Sequence, residues 1–271
     1  MQRIETEKIN DIKINPLPVP KIDTDKIKGS ELFPEIYSNI FLIAKKKSGK
    51  TNVISNIIDK CAGKKTTVII FASTFYRDDA WKLIEEMLIK KKIEYIPYIS
   101  IYDGKINQVA ELTIFLEGKD IQKDKKGKQI DLKKIFSFND DPLPKEKKEK
   151  KEKKLAPEYI IIFDDLSKEL QDKYIGYLLK RNRHFKAKVI ISTQYLNDLA
   201  KDARLQIDYL LLFPKLPEEK VEQIYKLADL SLEYDLFQAL YENATSEKYN
   251  FLFIDTKNEF FRHNFNILYK L

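Results

Sequence analysis

The stretch Asn39–Cys61, NIFLIAKKKSGKTNVISNIIDKC, constrains the fold of this chain more than any other. Four apolar residues, Ile40 to Ile43, stop at a basic loop ending in Ser48-Gly49-Lys50-Thr51, and apolar residues then recur at helical spacing (Val53, Ile54, Ile57, Ile58). The pattern specifies a buried strand, a tight loop and an amphipathic helix. The loop fits the phosphate-binding pattern G-x-x-x-x-G-K-[ST] except that Ala44 replaces the first glycine. An alanine is tolerated there if its φ is negative.

In such a loop successive backbone N–H groups and the following helix N-terminus point at a polyphosphate. Lys47, Ser48, Gly49, Lys50, Thr51 and Asn52 are therefore the candidate residues for binding a polyphosphate cofactor. Lys50 would place a point charge beside the β- and γ-phosphates, on a solvent-facing loop without core packing, and Thr51 would give its hydroxyl to a phosphate-bound Mg²⁺. S-G-K-T can also arise by chance in a lysine-rich chain; the strand before it and the helix after it are the context that separates the two.

Further apolar runs alternate with helical patterns. Thr67–Ala72 reads as a strand buried on both faces. A helix follows from about Asp78 to Lys91, with Trp81, Leu83, Ile84, Met87 and Leu88 on one stripe. Ile93–Ile101 reads as a strand and Ile106–Leu116 as a helix. This alternation means parallel βαβ units. Residues 1–35, with Pro16, Pro18, Pro20 and Pro34, read as an extended arm ahead of one domain at 36–271. That domain is interrupted at about 118–157 by a charged insertion. Within it Lys145–Lys154 holds seven lysines and three glutamates, a composition suited to a solvated segment or to a basic arm on nucleic-acid phosphates.

The apolar pattern resumes at Tyr159-Ile160-Ile161-Ile162-Phe163 and ends in Asp164-Asp165. A buried strand thus delivers two carboxylates to its C-terminal edge, where open α/β sheets bind ligands. Beside a phosphate loop Asp164 would hold Mg²⁺ through its water shell and Asp165 would orient or deprotonate the attacking water; the bland reading is a cap on a helix starting near Ser167. After a helix through Leu170–Leu179, the strand Lys188–Ser192 ends in Thr193-Gln194, and Gln194 could reach a γ-phosphate or simply be a polar loop residue. His184 lacks the neighbours of a metal site, since His263 is the only other histidine. A helix-like segment, Tyr195–Ala203, precedes a fifth buried strand at Tyr209–Phe213. Helices from Pro217 and over Leu232–Leu240, and a terminal antiparallel hairpin (Tyr249–Asp255 with Glu259–Asn266), complete the chain.

The segments IAKKKSGKT, YIIIFDDL, KRNRHFKAKVIISTQYLNDLAKDAR, IDYLLLF and YNFLFID together resemble the genome-packaging ATPases of the FtsK–HerA superfamily, in particular the poxvirus-type branch of large eukaryotic DNA viruses, virophages and polinton-like elements. The resemblance spans about residues 35–265. It implies a RecA-like (ASCE) P-loop NTPase, mainly parallel with a C-terminal antiparallel hairpin, in which the sensor strand flanks the phosphate-loop strand. It further implies an ATP- and Mg²⁺-dependent motor that assembles as a homo-oligomeric ring and drives double-stranded DNA into a preformed capsid at a packaging vertex. On this likeness Lys50 and Thr51 correspond to the Walker A residues, Asp164 and Asp165 to the Walker B pair and Gln194 to the sensor. Arg204, or secondarily Arg183, corresponds to an arginine acting across a subunit interface.

The single cysteine, Cys61, excludes an internal disulfide and fits a reducing compartment. No apolar run approaches the roughly 20 residues of a membrane span. An intracellular protein is expected, without need of a membrane, and the resemblance implies the host cytoplasm (viral factory) and the virion as its places. Net charge of +7 permits an anionic partner. Two other functions remain compatible with the residues: a small phosphotransferase resembling a nucleoside kinase, and a non-catalytic DNA-binding scaffold with a decayed phosphate loop.

Overall fold

The computed structural model describes residues 22–118 and 154–271. Eleven strands are found there: β1 (Asn39–Ile43), β2 (Thr67–Ala72), β3 (Glu94–Tyr98), β4 (Tyr102–Asp103), β5 (Ile106–Asn107), β6 (Tyr159–Asp164), β7 (Ala187–Thr193), β8 (Tyr209–Leu212), β9 (Leu252–Asp255), β10 (Phe260–His263) and β11 (Ile267–Leu268). The α-helices are α1 (Lys50–Cys61), α2 (Asp79–Lys91), α3 (Gln108–Leu116), α4 (Lys173–Lys180), α5 (Lys201–Arg204), α6 (Glu218–Ala228) and α7 (Tyr234–Ala244).

Nine strands form one sheet in the order β11-β10-β9-β8-β1-β7-β6-β2-β3. From β3 to β8 all neighbours are parallel, and β9, β10 and β11 then turn back antiparallel. The central strands are buried along their whole length because helices cover both faces. Strand alternation sorts the side chains: Ile40, Leu42, Val68, Ile70, Ile162 and Ile190 pack under α1 and α2, while Phe41, Ile43, Ile69, Phe163 and Ile191 pack under α3, α4, α6 and α7. Register aligns Ala72, Asp164 and Ser192 across β2, β6 and β7. The carboxylate strand therefore ends level with its neighbours at the sheet's C-terminal edge.

Several local expectations are refined. Leu83 leaves the inner stripe of α2 and is 66% exposed, because Trp81, Ile84 and Leu88 take the buried face at the 3.6-residue period. Ile106 and Asn107 belong to the β4–β5 hairpin, and Asn107 caps α3 by accepting from Val109 and Ala110 N–H. After Asp165 the chain forms a 3₁₀ turn, Ser167–Gln171, before α4, since Asp165 and Ser167 have φ of 53° and 47° and cannot lead straight into an α-helix. Of the stretch expected as an arm, residues 22–35 are described, and Ile27, Leu32 and Phe33 are buried. Residues 1–21 and most of the expected insertion lie outside the described residues.

Candidate active site

The site grows from the end of β1. Ala44 is fully buried, its N–H donates to Thr193 O at 3.0 Å, and it is absent from the residues with positive φ. An alanine therefore suffices in place of the first glycine. Gly49 is different. It takes φ +93° as the N-cap of α1, and a Cβ there would stand 2.9 Å from Tyr249 Cδ1, so both backbone and neighbour demand glycine.

Lys50 corrects an expectation. It opens α1 and is only 7% exposed, because its side chain runs back along the sheet edge to the carboxylates of β6. Nζ lies 3.0 Å from Asp164 Oδ1 and 2.6 Å from Asp165 Oδ1. The left-handed backbone of Asp165 is what turns two consecutive residues toward one ammonium, and strain of this kind is characteristic of functional sites. Asp164 is 3% exposed while the Asp165 side chain retains 29% exposure. Burial pushes the Asp164 carboxyl above the ordinary carboxylate range; Lys50 opposes this and Asp165 adds to it.

One supporting residue escaped sequence reasoning. Trp81 is wholly buried on α2, and its Nε1–H donates to Asp164 Oδ2 at 3.3 Å. Its apolar periodicity assigned it to the core, and only its being the single tryptophan of the chain marked it out. Outer partners of this kind orient a metal-binding carboxylate.

Gln194 follows β7, which lies between β1 and β6, and so stands between the loop and the carboxylates. Its carbonyl accepts from Lys220 Nζ at 3.3 Å, and that ammonium also lies 3.7 Å from the centre of the Tyr195 ring. Burial and then the charge of Lys45 lower the Lys220 pKa, which places a second unforeseen cation beside the phosphate loop. Thr193 Oγ1 is hydrogen-bonded to Asp198. A cleft of about 640 Å³ opens next to this segment between Lys168, Gln171, Asn197 and Lys220.

The two arginines do not join this cluster. Arg204 donates from Nη1 to Asn197 Oδ1 at 2.9 Å, with its Nε buried and without a hydrogen bond among the described residues. Arg183 lies before β7, at the edge of the sheet opposite the loop, where it pairs with Glu35 at 3.0 Å and approaches Asp208 at 3.9 Å.

The residues present fit a nucleotide phosphate. Ser48 Oγ is buried without a hydrogen bond among the described residues, and no hydrogen bond among them is made by the N–H of Gly49, Lys50 or Thr51. Donors left unsatisfied at a helix N-terminus suit an anion. No cluster of three His, Cys, Asp or Glu side chains is present among the described residues. A cation would therefore rest on Thr51, Asp164, water and the phosphate itself, the set that suits Mg²⁺.

The architecture is the RecA-like P-loop fold, with β7 inserted between the strand that leads into the Ser48–Thr51 loop and the strand that ends in Asp164. Among solved structures the chain is similar to the genome-packaging NTPase B204 of Sulfolobus turreted icosahedral virus 2. The complex with AMP matches at 17% identity and a TM-score of 0.50, over 87% of this chain and 98% of that one. The complex with AMPPCP matches at 16% identity and the same TM-score over 87% and 98%. The likeness at this identity is one of fold. No protein-family model matches the chain, and no curated protein matches it.

Proposed function

We propose that the chain is an ATP-driven motor that packages double-stranded DNA, of the FtsK–HerA superfamily and its poxvirus-type branch. The observation that carries the proposal is the convergence of Lys50 on Asp164 and Asp165 across an interposed sensor strand. When bound, Mg²⁺ would supply positive charge that offsets the charge developing on the phosphates. Thr51 and Asp164 would hold it, the loop N–H groups and Lys50 bind the phosphates, and Asp165 takes the proton of the attacking water, for which its partial exposure leaves room. Gln194 positions that water from the end of β7. A nucleoside kinase would account for the loop but not for a strand ending in Asp164-Asp165 beside one ending in Thr193-Gln194.

A ring of identical subunits gives Arg204 its place: held by Asn197 away from the carboxylates of its own chain, it would act on the phosphate bound by a neighbour. The genome-packaging role is supported by the sequence motifs together with the similarity of fold to B204, itself a genome-packaging NTPase; double-stranded DNA, capsid proteins at a vertex and the host cytoplasm are the partners and place this role would entail. The test is hydrolysis of ATP by the full chain with and without linear duplex DNA. Stimulation by DNA is expected. Turnover that needs a small acceptor would replace the motor with a phosphotransferase, and no turnover under either condition would leave a scaffold.

A further inference from the structure

The loop between α7 and β9 presents Tyr249 to the phosphate loop. Its ring touches Gly49 so closely that a Cβ on that glycine would lie 2.9 Å from Cδ1 and 3.6 Å from Cγ, yet the residue is 52% exposed. Its backbone is held at φ +74°, a conformation rare for a residue with a ring. The next residues are tied down: Asn264 Nδ2 donates to Asn250 Oδ1 at 3.0 Å, and Asn264 Oδ1 accepts from Phe251 N–H at 3.0 Å. An exposed aromatic ring is thus fixed beside the N-terminus of α1 at the cost of a strained backbone. Core packing does not account for it, since half of its surface faces solvent.

Topology says what the ring could meet. Asp164, Asp165 and Gln194 end strands β6 and β7, on one side of β1. Tyr249 precedes β9, on the other side, beyond β8. Because β9 runs antiparallel to β8, its start lies at the same C-terminal edge as the loop, about two strand spacings or roughly 10 Å from β1. A nucleotide with its terminal phosphate at the carboxylates must lead its nucleoside around α1 toward that side.

We propose that Tyr249 is the stacking residue for the nucleobase, its ring packing on the base while Gly49 supports the ring from behind. The proposal rests on the ATP-binding reading above and adds a residue to it. Stacking is tolerant of base identity, because every base has a π-face, so the ring raises affinity for nucleotides over bare polyphosphate more than it selects adenine. Lys248 Nζ now lies over the ring, 4.6 Å from its centre; its flexible stem lets it leave that face to a base and keep this flank cationic.

Calorimetric titration of the full chain with ATP, GTP and inorganic triphosphate, each with Mg²⁺, tests the proposal. Wild type is expected to bind both nucleotides more tightly than triphosphate. Tyr249→Ala should weaken ATP about tenfold and leave triphosphate affinity unchanged, and Tyr249→Phe should restore ATP binding. Equal affinities of the wild type for ATP and triphosphate, or wild-type ATP affinity in Tyr249→Ala, would overturn the stacking role while the phosphate-loop reading stands. A parallel loss of both ligands in Tyr249→Ala would also overturn it, because the ring would then only prop up Gly49. Failure of the wild type to bind either ligand would overturn the ATP-binding reading and this proposal with it.

Discussion

Lys50→Ala should destabilise the protein even without nucleotide, and Asp164→Asn should rescue much of that loss. Lys50 Nζ makes contacts of 3.0 and 2.6 Å with two carboxylates. At an effective dielectric constant of about 20 these are worth roughly 5 and 6 kcal/mol before desolvation. Most of that attraction offsets the burial of the charges, so the pair itself is worth little net. Truncating one partner is another matter, because the opposite charge stays buried alone, at about 3–5 kcal/mol. Asp164, at 3% exposure, would be left beside Asp165 with no cation. At about 2–4 °C per kcal/mol for a domain of this size, Tm should fall by roughly 6–20 °C. Asn at 164 removes the orphaned charge and keeps an oxygen for Trp81 Nε1–H. The double variant should therefore lie closer to wild type than Lys50→Ala does. Thermal unfolding of wild type, both singles and the double at neutral pH measures the coupling. An unchanged Tm in Lys50→Ala, or strictly additive losses in the double, would refute this account of the ion pair.

Trp81→Phe deletes the indole donor to Asp164 and should raise the Mg²⁺ concentration for half-maximal ATP hydrolysis about tenfold; an unchanged Mg²⁺ titration would reduce Trp81 to packing. Arg204→Ala should bind ATP normally but hydrolyse it about 10³-fold more slowly. Mixing it with Asp165→Asn subunits should restore part of the activity, and two proteins that co-assemble yet stay inactive at every ratio would contradict a shared site. Lys188 is fully buried, donating to Glu35 O at 2.9 Å and Ser38 Oγ at 2.7 Å. Burial lowers its pKa, an effect that Cys61, Asp208 and Glu35 only partly oppose. The folded chain thus loses this proton at lower pH than the unfolded chain, and stability should rise with pH through the window up to about 10.4. Urea unfolding between neutral and alkaline pH should show the rise in wild type and its loss in Lys188→Met; identical slopes would place the titration elsewhere.

The amino-acid order alone determined the elements and the ends at which chemistry sits. Runs such as Ile40–Ile43 and Tyr159–Phe163 are apolar on every residue, which only a strand covered on both faces tolerates, and polar residues could follow them only at the sheet's edge. Lys50, Asp164 and Asp165 were legible for that reason, and the C-terminal hairpin was legible from its turn. Periodicity says nothing of depth or direction, so Lys50 read as solvent-facing and Leu83 as buried until packing reversed both. Tertiary structure alone could bring Trp81 to Asp164 across 83 positions of sequence, Tyr249 to Gly49 and Lys220 to Gln194. Each of these pairs depends on strand order, and strand order is a property of the assembled sheet: residues so far apart in sequence meet only because β1, β7 and β6 end side by side at one edge.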